Sequence, residues 1–233
     1  MNVLKPLDLA YSTEPLARRL VTQLRHDIVT MQIKPGEKLS EQALGSRYGV
    51  SRQPIREAFI KLAETGLLRV LPQRGTMVVK ISLAAVLDAR FIREAIECSV
   101  VEEAARRGNQ ATFAQIRRCL DETELAISAA NADNQFSLDE QFHQLLAAAA
   151  GRPNAWNVIV EQKAQLDRVR YLDAANRLPM QVMFEQHVEI FKCVESRNPE
   201  GANRAMRRHL AEILTSLPKL TAQWPDFFDL TNS

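Results

Sequence analysis

Cysteine is scarce in this chain of 233 residues: Cys98, Cys119 and Cys193 are odd in number and widely scattered. They offer neither C-x-x-C spacing nor a disulfide framework, and they read as reduced core thiols of a cytoplasmic protein. Long apolar runs are missing as well. No stretch approaches the roughly 20 residues that cross a bilayer, and the N-terminus lacks the apolar core of a signal peptide, so no membrane partner is expected. Nor is there an H-E-x-x-H string, which leaves a helical metal-dependent hydrolase without its usual signature. Net charge is nearly absent too, at +2 overall.

That small total conceals a division. Residues 1–80 hold thirteen Lys and Arg against seven Asp and Glu, net +6, whereas residues 81–233 are net −4. Positive charge is concentrated where phosphate would be met. Length and patterning give a loose arm at 1–13, a basic domain at 14–81 and a helical domain at 82–233.

The most informative stretch of the basic domain runs from Gly49 to Ala58. Ser51 can accept a hydrogen bond at a helix start, and Pro54 is tolerated in the first turn. Arg52, Gln53 and Arg56 then form a polar, cationic face, while Ile55, Ala58, Phe59 and Leu62 recur at helical spacing on the other side. Upstream, Ser40 to Tyr48 reads as a short helix closed at Gly49, where a positive φ is needed. Two short helices joined at a glycine make a helix-turn-helix. Leu16, Leu20, Leu24, Ile28 and Met31 mark a supporting helix ahead of Pro35-Gly36. Beyond Gly66, the β-prone runs Leu67 to Leu71 and Thr76 to Ile81 flank Pro72-Gln73-Arg74-Gly75, a hairpin with a basic tip.

From Leu83 onward the pattern is helical throughout, with breaks near Gly108-Asn109, residues 131–134, Gly151-Arg152-Pro153, Leu178-Pro179, Asn198-Pro199-Glu200 and Pro218. About six helices and no strand are expected, packed as an antiparallel bundle. Three histidines lie on stripes that are otherwise apolar. His143 follows Asp139 by one turn, His187 precedes Ile190, Phe191 and Val194, and His209 lies between Met206 and Ile213. A single inward histidine is usually a satisfied core residue. Three on successive helices, with a carboxylate, form a donor set suited to a divalent transition metal. The residues do not choose among zinc, favoured by abundance, nickel and manganese.

Residues 35–79, PGEKLSEQALGSRYGVSRQPIREAFIKLAETGLLRVLPQRGTMVV, closely resemble the winged-helix domain of the GntR superfamily of bacterial transcription regulators. The resemblance implies that Arg52 and Arg56 contact operator bases and phosphates, and that the wing tip at Gln73, Arg74 and Gly75 approaches the minor groove. Gln42 departs from the best-known member, which carries a base-contacting arginine there, so an operator sequence does not transfer. Residues 83–217 resemble the FCD ligand-binding domain of the FadR branch, whose metal-containing members carry D-x-x-x-H, then H, then H. That implies a metal at Asp139, His143, His187 and His209 beside a small organic acid or sugar acid, in a protein that is often a homodimer. Arg93, in the string from Phe91 to Glu97, matches the family's R-x-x-[LI]-E motif and faces the effector in many members; an ordinary surface ion pair with Glu97 is the alternative.

The fold expected is therefore mostly α, a winged helix-turn-helix joined to an FCD-like bundle. The function expected is a cytoplasmic, dimeric, acid-responsive repressor of double-stranded operator DNA, not an enzyme. Two readings stand beside it: a regulator whose metal is structural or is itself the signal, and a metal-dependent hydrolase with Glu140 as the sole available base, a residue expected to point away from the ligands.

Overall fold

The computed structural model describes residues 15–71, 75–129, 132–174 and 177–230. It resolves into two compact units, one taking the chain up to Ala85 together with the segment from Gln223 onward, the other Val86–Ala222.

In the first unit the elements run α1 (Leu16–Val29), β1 (Lys38–Leu39), α2 (Glu41–Tyr48), α3 (Arg52–Glu64), β2 (Leu68–Leu71), β3 (Gly75–Val78) and β4 (Ile81–Ser82), with β5 (Phe228–Asp229) arriving from the far end of the chain. The stripe on α1 is buried as its spacing requires, with Leu20, Leu24 and Ile28 fully inaccessible. The helix ends two residues earlier than the apolar pattern suggests, because Met31 takes a left-handed φ of 57°. Ser40 caps α2 by accepting from the Ala43 N–H, and Gly49 closes it at φ 68°, a region that a side chain would strain. Strand β3 lies between β1 and β2, antiparallel to both, with Leu68 opposite Val78 and Lys38 opposite Met77.

A buried polar contact fastens α1 to α2. The Tyr48 hydroxyl donates to Asp27 Oδ2 at 2.6 Å, and Gln23 Nε2 donates to Oδ1 at 2.7 Å. Burial and the Asp27 carboxylate push the Tyr48 phenol well above its ordinary range, so it remains a donor. Tyr48→Phe keeps the ring but removes one donor from a buried carboxylate. The expected result is a loss of about 1–3 kcal/mol in denaturant unfolding, with an unchanged m-value.

The second unit holds α4 (Leu83–Arg107, from Val86 on), α5 (Gln110–Ser128), α6 (Ala132–Ala149), α7 (Pro153–Gln162), α8 (Ala164–Ala174), α9 (Arg177–Glu195), α10 (Pro199–Ala211) and α11 (Ile213–Gln223, up to Ala222). These are eight helices among the described residues rather than about six. The additional breaks fall at Lys163 and Glu212, which carry neither glycine nor proline to announce them, and Pro218 lies inside α11 instead of ending a helix. Helix α5 packs on α6 and α9, and α9 pairs with α10, around a core that includes Val101, Phe113, Ile116, Phe142, Ile190, Val194 and Met206. Asn198 sets the start of α10 by accepting from the Gly201 N–H at 2.9 Å. A Cβ at Gly201 would lie 2.6 Å from the Asn198 amide, so the cap and the glycine require one another.

The strandless reading of everything after Leu83 needs correction. Strand β5 pairs in parallel with β4, Ile81 opposite Phe228, and Phe228 is buried, which draws the C-terminal segment into the first unit. A two-residue strand is too short to show any alternation. Among the described residues no helix is long and apolar enough to cross a membrane.

Candidate functional site

Two sites arise, one in each unit. On α3 the four apolar positions Ile55, Ala58, Phe59 and Leu62 are all buried, which turns Arg52 and Arg56 outward with side chains 65% and 57% exposed. Gln53 Nε2 donates to Glu57 at 3.0 Å along the same helix. Glu41, the first residue of α2, meets Arg56 through both carboxylate oxygens, each at 2.9 Å, and stands 3.9 Å from Arg52 Nε. The Arg56 hydrogen bond lowers the Glu41 carboxyl from its ordinary range. Sequence reading passed over Glu41, since a lone acid at a helix start is usually only a favourable charge on the dipole.

Ser51 does stand at the N-cap of α3 with extended backbone, but its side chain caps nothing, contrary to expectation. Pro54 narrows the choice of donor to Gln53. An N-cap oxygen accepts from the second or third helical residue, and the third here has no N–H. Of the wing-tip residues, Gly75 opens β3 at φ 88°, whereas Gln73 and Arg74 lie outside the described residues.

In the second unit, the four-residue spacing on α6 sets Asp139 and His143 on one face. His187 arrives from α9 and His209 from α10. All four are buried, and one ligand atom from each lies within 4.8 Å of all the others. The Nε2 atoms of His143 and His187 each stand 3.3 Å from Nε2 of His209, and His187 Nε2 is 3.6 Å from Asp139 Oδ1.

The partners behind these side chains decide how they can act. His143 Nδ1 faces Glu97 Oε2 at 2.5 Å, and His209 Nδ1 faces the Gln186 amide oxygen at 3.0 Å. The Gln186 oxygen at Nδ1 holds the His209 ring with Nε2 aimed inward, the arrangement seen behind metal-bound imidazoles, and the Glu97 carboxylate stands behind the His143 ring without the alignment of a hydrogen bond. Burial, then the neighbouring histidines and arginines, lowers His187 and His209 well below the ordinary imidazole range, so both are neutral. Asp139 Oδ2 is held by Arg170, while Oδ1 is buried without any hydrogen-bond partner. Three imidazole nitrogens and one orphaned carboxylate oxygen fit a divalent cation. Phe142 stacks on His187 with ring centres 4.2 Å apart, and the Trp156 plane lies parallel to His143 at 6.1 Å, so the cluster backs onto an apolar wall.

Arg93 pairs with Glu97 at 2.6 Å, as one of its two readings held, but the pair is buried rather than on a helix surface. Its Nη2 lies 3.3 Å from His143 Nε2, at the edge of the cluster. Burial raises the Glu97 carboxyl, yet Arg93 and His143 outweigh it and hold Glu97 far below the ordinary range. Arg170 has carboxylate neighbours. It lies 3.5 Å from Asp167, but its first partner is Asp139. Glu140 turns to Lys163 at 2.5 Å and to Arg170 at 3.4 Å, and Lys163 also reaches Asp167 at 2.8 Å. The signal available beforehand was α8 itself, where Asp167, Arg168 and Arg170 alternate with core residues Leu166, Val169 and Leu172. Charges at that density cannot all reach solvent from a helix buried on most sides.

A winged helix with two exposed arginines, in a chain that also folds a helical bundle around ligand-type side chains, defines a class: DNA-binding transcription regulators with a sensory domain. Comparison with known proteins specifies it. Residues 16–78 match the gntR family of bacterial regulatory proteins and residues 88–212 match the FCD domain, so this chain belongs to the GntR family, in its FadR-like branch with an FCD domain. It is 42% identical over 216 residues to the HTH-type transcriptional repressor RspR of Escherichia coli K12, covering 93% of this chain and 95% of that one. A second relative, an HTH-type regulator in an unstable DNA locus of Streptomyces ambofaciens, is 34% identical over 91% of this chain and 89% of its own length. Among solved structures, Escherichia coli McbR/YncC superposes with a TM-score of 0.77 at 17% identity, over 91% of this chain and all of that one, a likeness of fold. The relatives are transcription regulators, and the hydrolase alternative is set aside.

Proposed function

We propose that this protein is a metal-containing, ligand-responsive repressor, binding a near-palindromic operator as a homodimer in the cytoplasm and released by a small organic acid or sugar acid. Residues 14–81 serve as the DNA-binding domain and the helices from residue 82 onward as the effector and dimerisation domain. The convergence of Asp139, His143, His187 and His209, with Arg93 at its edge, is the observation that carries the reading. The direction of control follows the RspR relative, which is named a repressor.

Arg52 and Arg56 meet bases and phosphates, Ser51 and Gln53 border them, and Gln73, Arg74 and Gly75 reach the minor groove. Two-fold symmetry then requires a near-palindromic pair of half-sites, spaced by one helical turn of about 34–36 Å or a multiple of it. Asp139 and the three histidines hold the ion, zinc by abundance, with nickel or manganese accepting the same donors. The ion supplies a positive anchor for a carboxylate. Arg93 supplies a planar pair of donors for the same group, and the Phe142 and Trp156 wall excludes water from one side. A coupling of about 1–3 kcal/mol between effector and operator would change DNA affinity roughly 5- to 150-fold.

One observation supports a second reading. Four protein ligands already complete a tetrahedral zinc shell, as structural sites do. Titrating the metal-loaded protein with hydroxy acids and sugar acids separates the two, with release of an operator selected from random duplexes as the readout. Release that depends on one carboxylate is expected. Operator affinity that follows metal loading alone would favour the structural or metal-sensing role.

A further inference from the structure

An acid on a surface that grips phosphate costs affinity, yet Glu41 stands between the two arginines that the recognition helix exposes. The geometry of its contact explains what it does there. A guanidinium has five N–H donors in a fixed plane. Glu41 accepts from Arg56 Nε and Nη2, each at 2.9 Å, so the edge of the fork facing α2 is taken. The far edge, carrying the Nη1 hydrogens and the second Nη2 hydrogen, remains open, and it is the edge that can read two acceptors of one guanine at once. An arginine side chain free in solvent samples many rotamers, and a two-point grip from a neighbouring helix removes most of that freedom before DNA arrives. Helix α2 is itself fixed, by the Ser40 cap at one end and the Tyr48 contact to Asp27 at the other.

We propose that Glu41 is a positioning residue for sequence discrimination: it presents Arg56 in a fixed orientation to base edges, at the cost of weaker binding to DNA in general. This rests on the DNA-binding reading above. Glu41 trades affinity for specificity.

The test measures the ratio of affinities for a wild-type-selected operator and a scrambled duplex, together with the salt dependence of each, for full-length wild type, Glu41→Ala, Glu41→Asp and Arg56→Ala with and without Glu41→Ala. Glu41→Ala is expected to bind scrambled DNA more tightly and to lose about tenfold in the ratio, the scale of one bidentate base contact. Glu41→Asp keeps the negative charge at the α2 N-terminus but withdraws the carboxylate by one methylene, and it should lose most of the same ratio. In the Arg56→Ala background, removing Glu41 should leave the ratio unchanged. A Glu41→Ala or Glu41→Asp protein with the wild-type ratio would overturn the proposal, as would a further loss of ratio in the double variant. Should wild type enrich no duplex, the DNA-binding reading itself fails, a result distinguishable from these.

Discussion

His187→Ala is expected to leave the helical unit folded and nearly free of metal. His187 occupies the middle of the cluster, with His209 at 3.3 Å and Asp139 at 3.6 Å, so removing it opens the donor set from four to three. Loss of an outer partner of a ligand typically costs about 10- to 100-fold in metal affinity, and loss of the ligand itself should exceed that. Two measurements read the result. Elemental analysis after dialysis against a weak chelator should show stoichiometric metal in wild type and far less in the variant. Thermal unfolding should show a metal-dependent rise for wild type, equivalent to about 4 kcal/mol when metal stands at 1,000 times its dissociation constant, and almost none for the variant. The pocket left beside Phe142 lowers the variant's own midpoint, so the comparison is of the metal-induced increment. Full metal content in His187→Ala would remove the site from the molecule.

How much of this was legible beforehand follows physical lines. The first unit was readable because its signals are local. Gly49 needs its positive φ, Ser40 needs an N–H three residues on, and the Ile55 to Leu62 stripe has one buried face. The four ligand-type residues were readable for a related reason, since a histidine on an apolar stripe has nowhere to point but inward. What surrounds them was not. Glu97, Gln186 and Arg170 matter because α4, α9 and α8 bring them against His143, His209 and Asp139, and no spacing within one segment encodes that. Glu41 and Arg56 are fifteen residues apart and meet only when α2 folds over α3. The Ser51 cap was expected and is not made; Pro54 withdraws one of its two possible donors. Helix breaks at Lys163 and Glu212 were hidden because no glycine or proline marks them.

The largest effect on DNA should come from Arg56, and Arg52 provides the comparison that shows why. Both side chains are more than half exposed, so alanine at either position should leave the unfolding transition almost unchanged. Each bidentate base contact contributes on the order of 1–3 kcal/mol, and the proposed homodimer would lose two of them, so either variant should weaken operator binding by about 2–6 kcal/mol, within reach of the whole specific increment. The two diverge on scrambled DNA. Arg52→Ala leaves the Glu41 carboxylate paired with Arg56 and removes one cationic contact per protomer, which should reduce the slope of log affinity against log salt by about 1.8 for the dimer. Arg56→Ala removes the cation and also strips Glu41 of its two hydrogen bonds, leaving the carboxylate with only the longer 3.9 Å contact to Arg52 to offset it against phosphate. Its binding to scrambled duplex should therefore fall below that of Arg52→Ala at every salt concentration, most clearly at low salt where charges are least screened. Footprints and salt titrations on the two variants decide the matter. An unaltered footprint for Arg52→Ala would take that residue off the reading surface, and equal non-specific affinities for the two variants would mean that the Glu41 charge is not felt by the DNA.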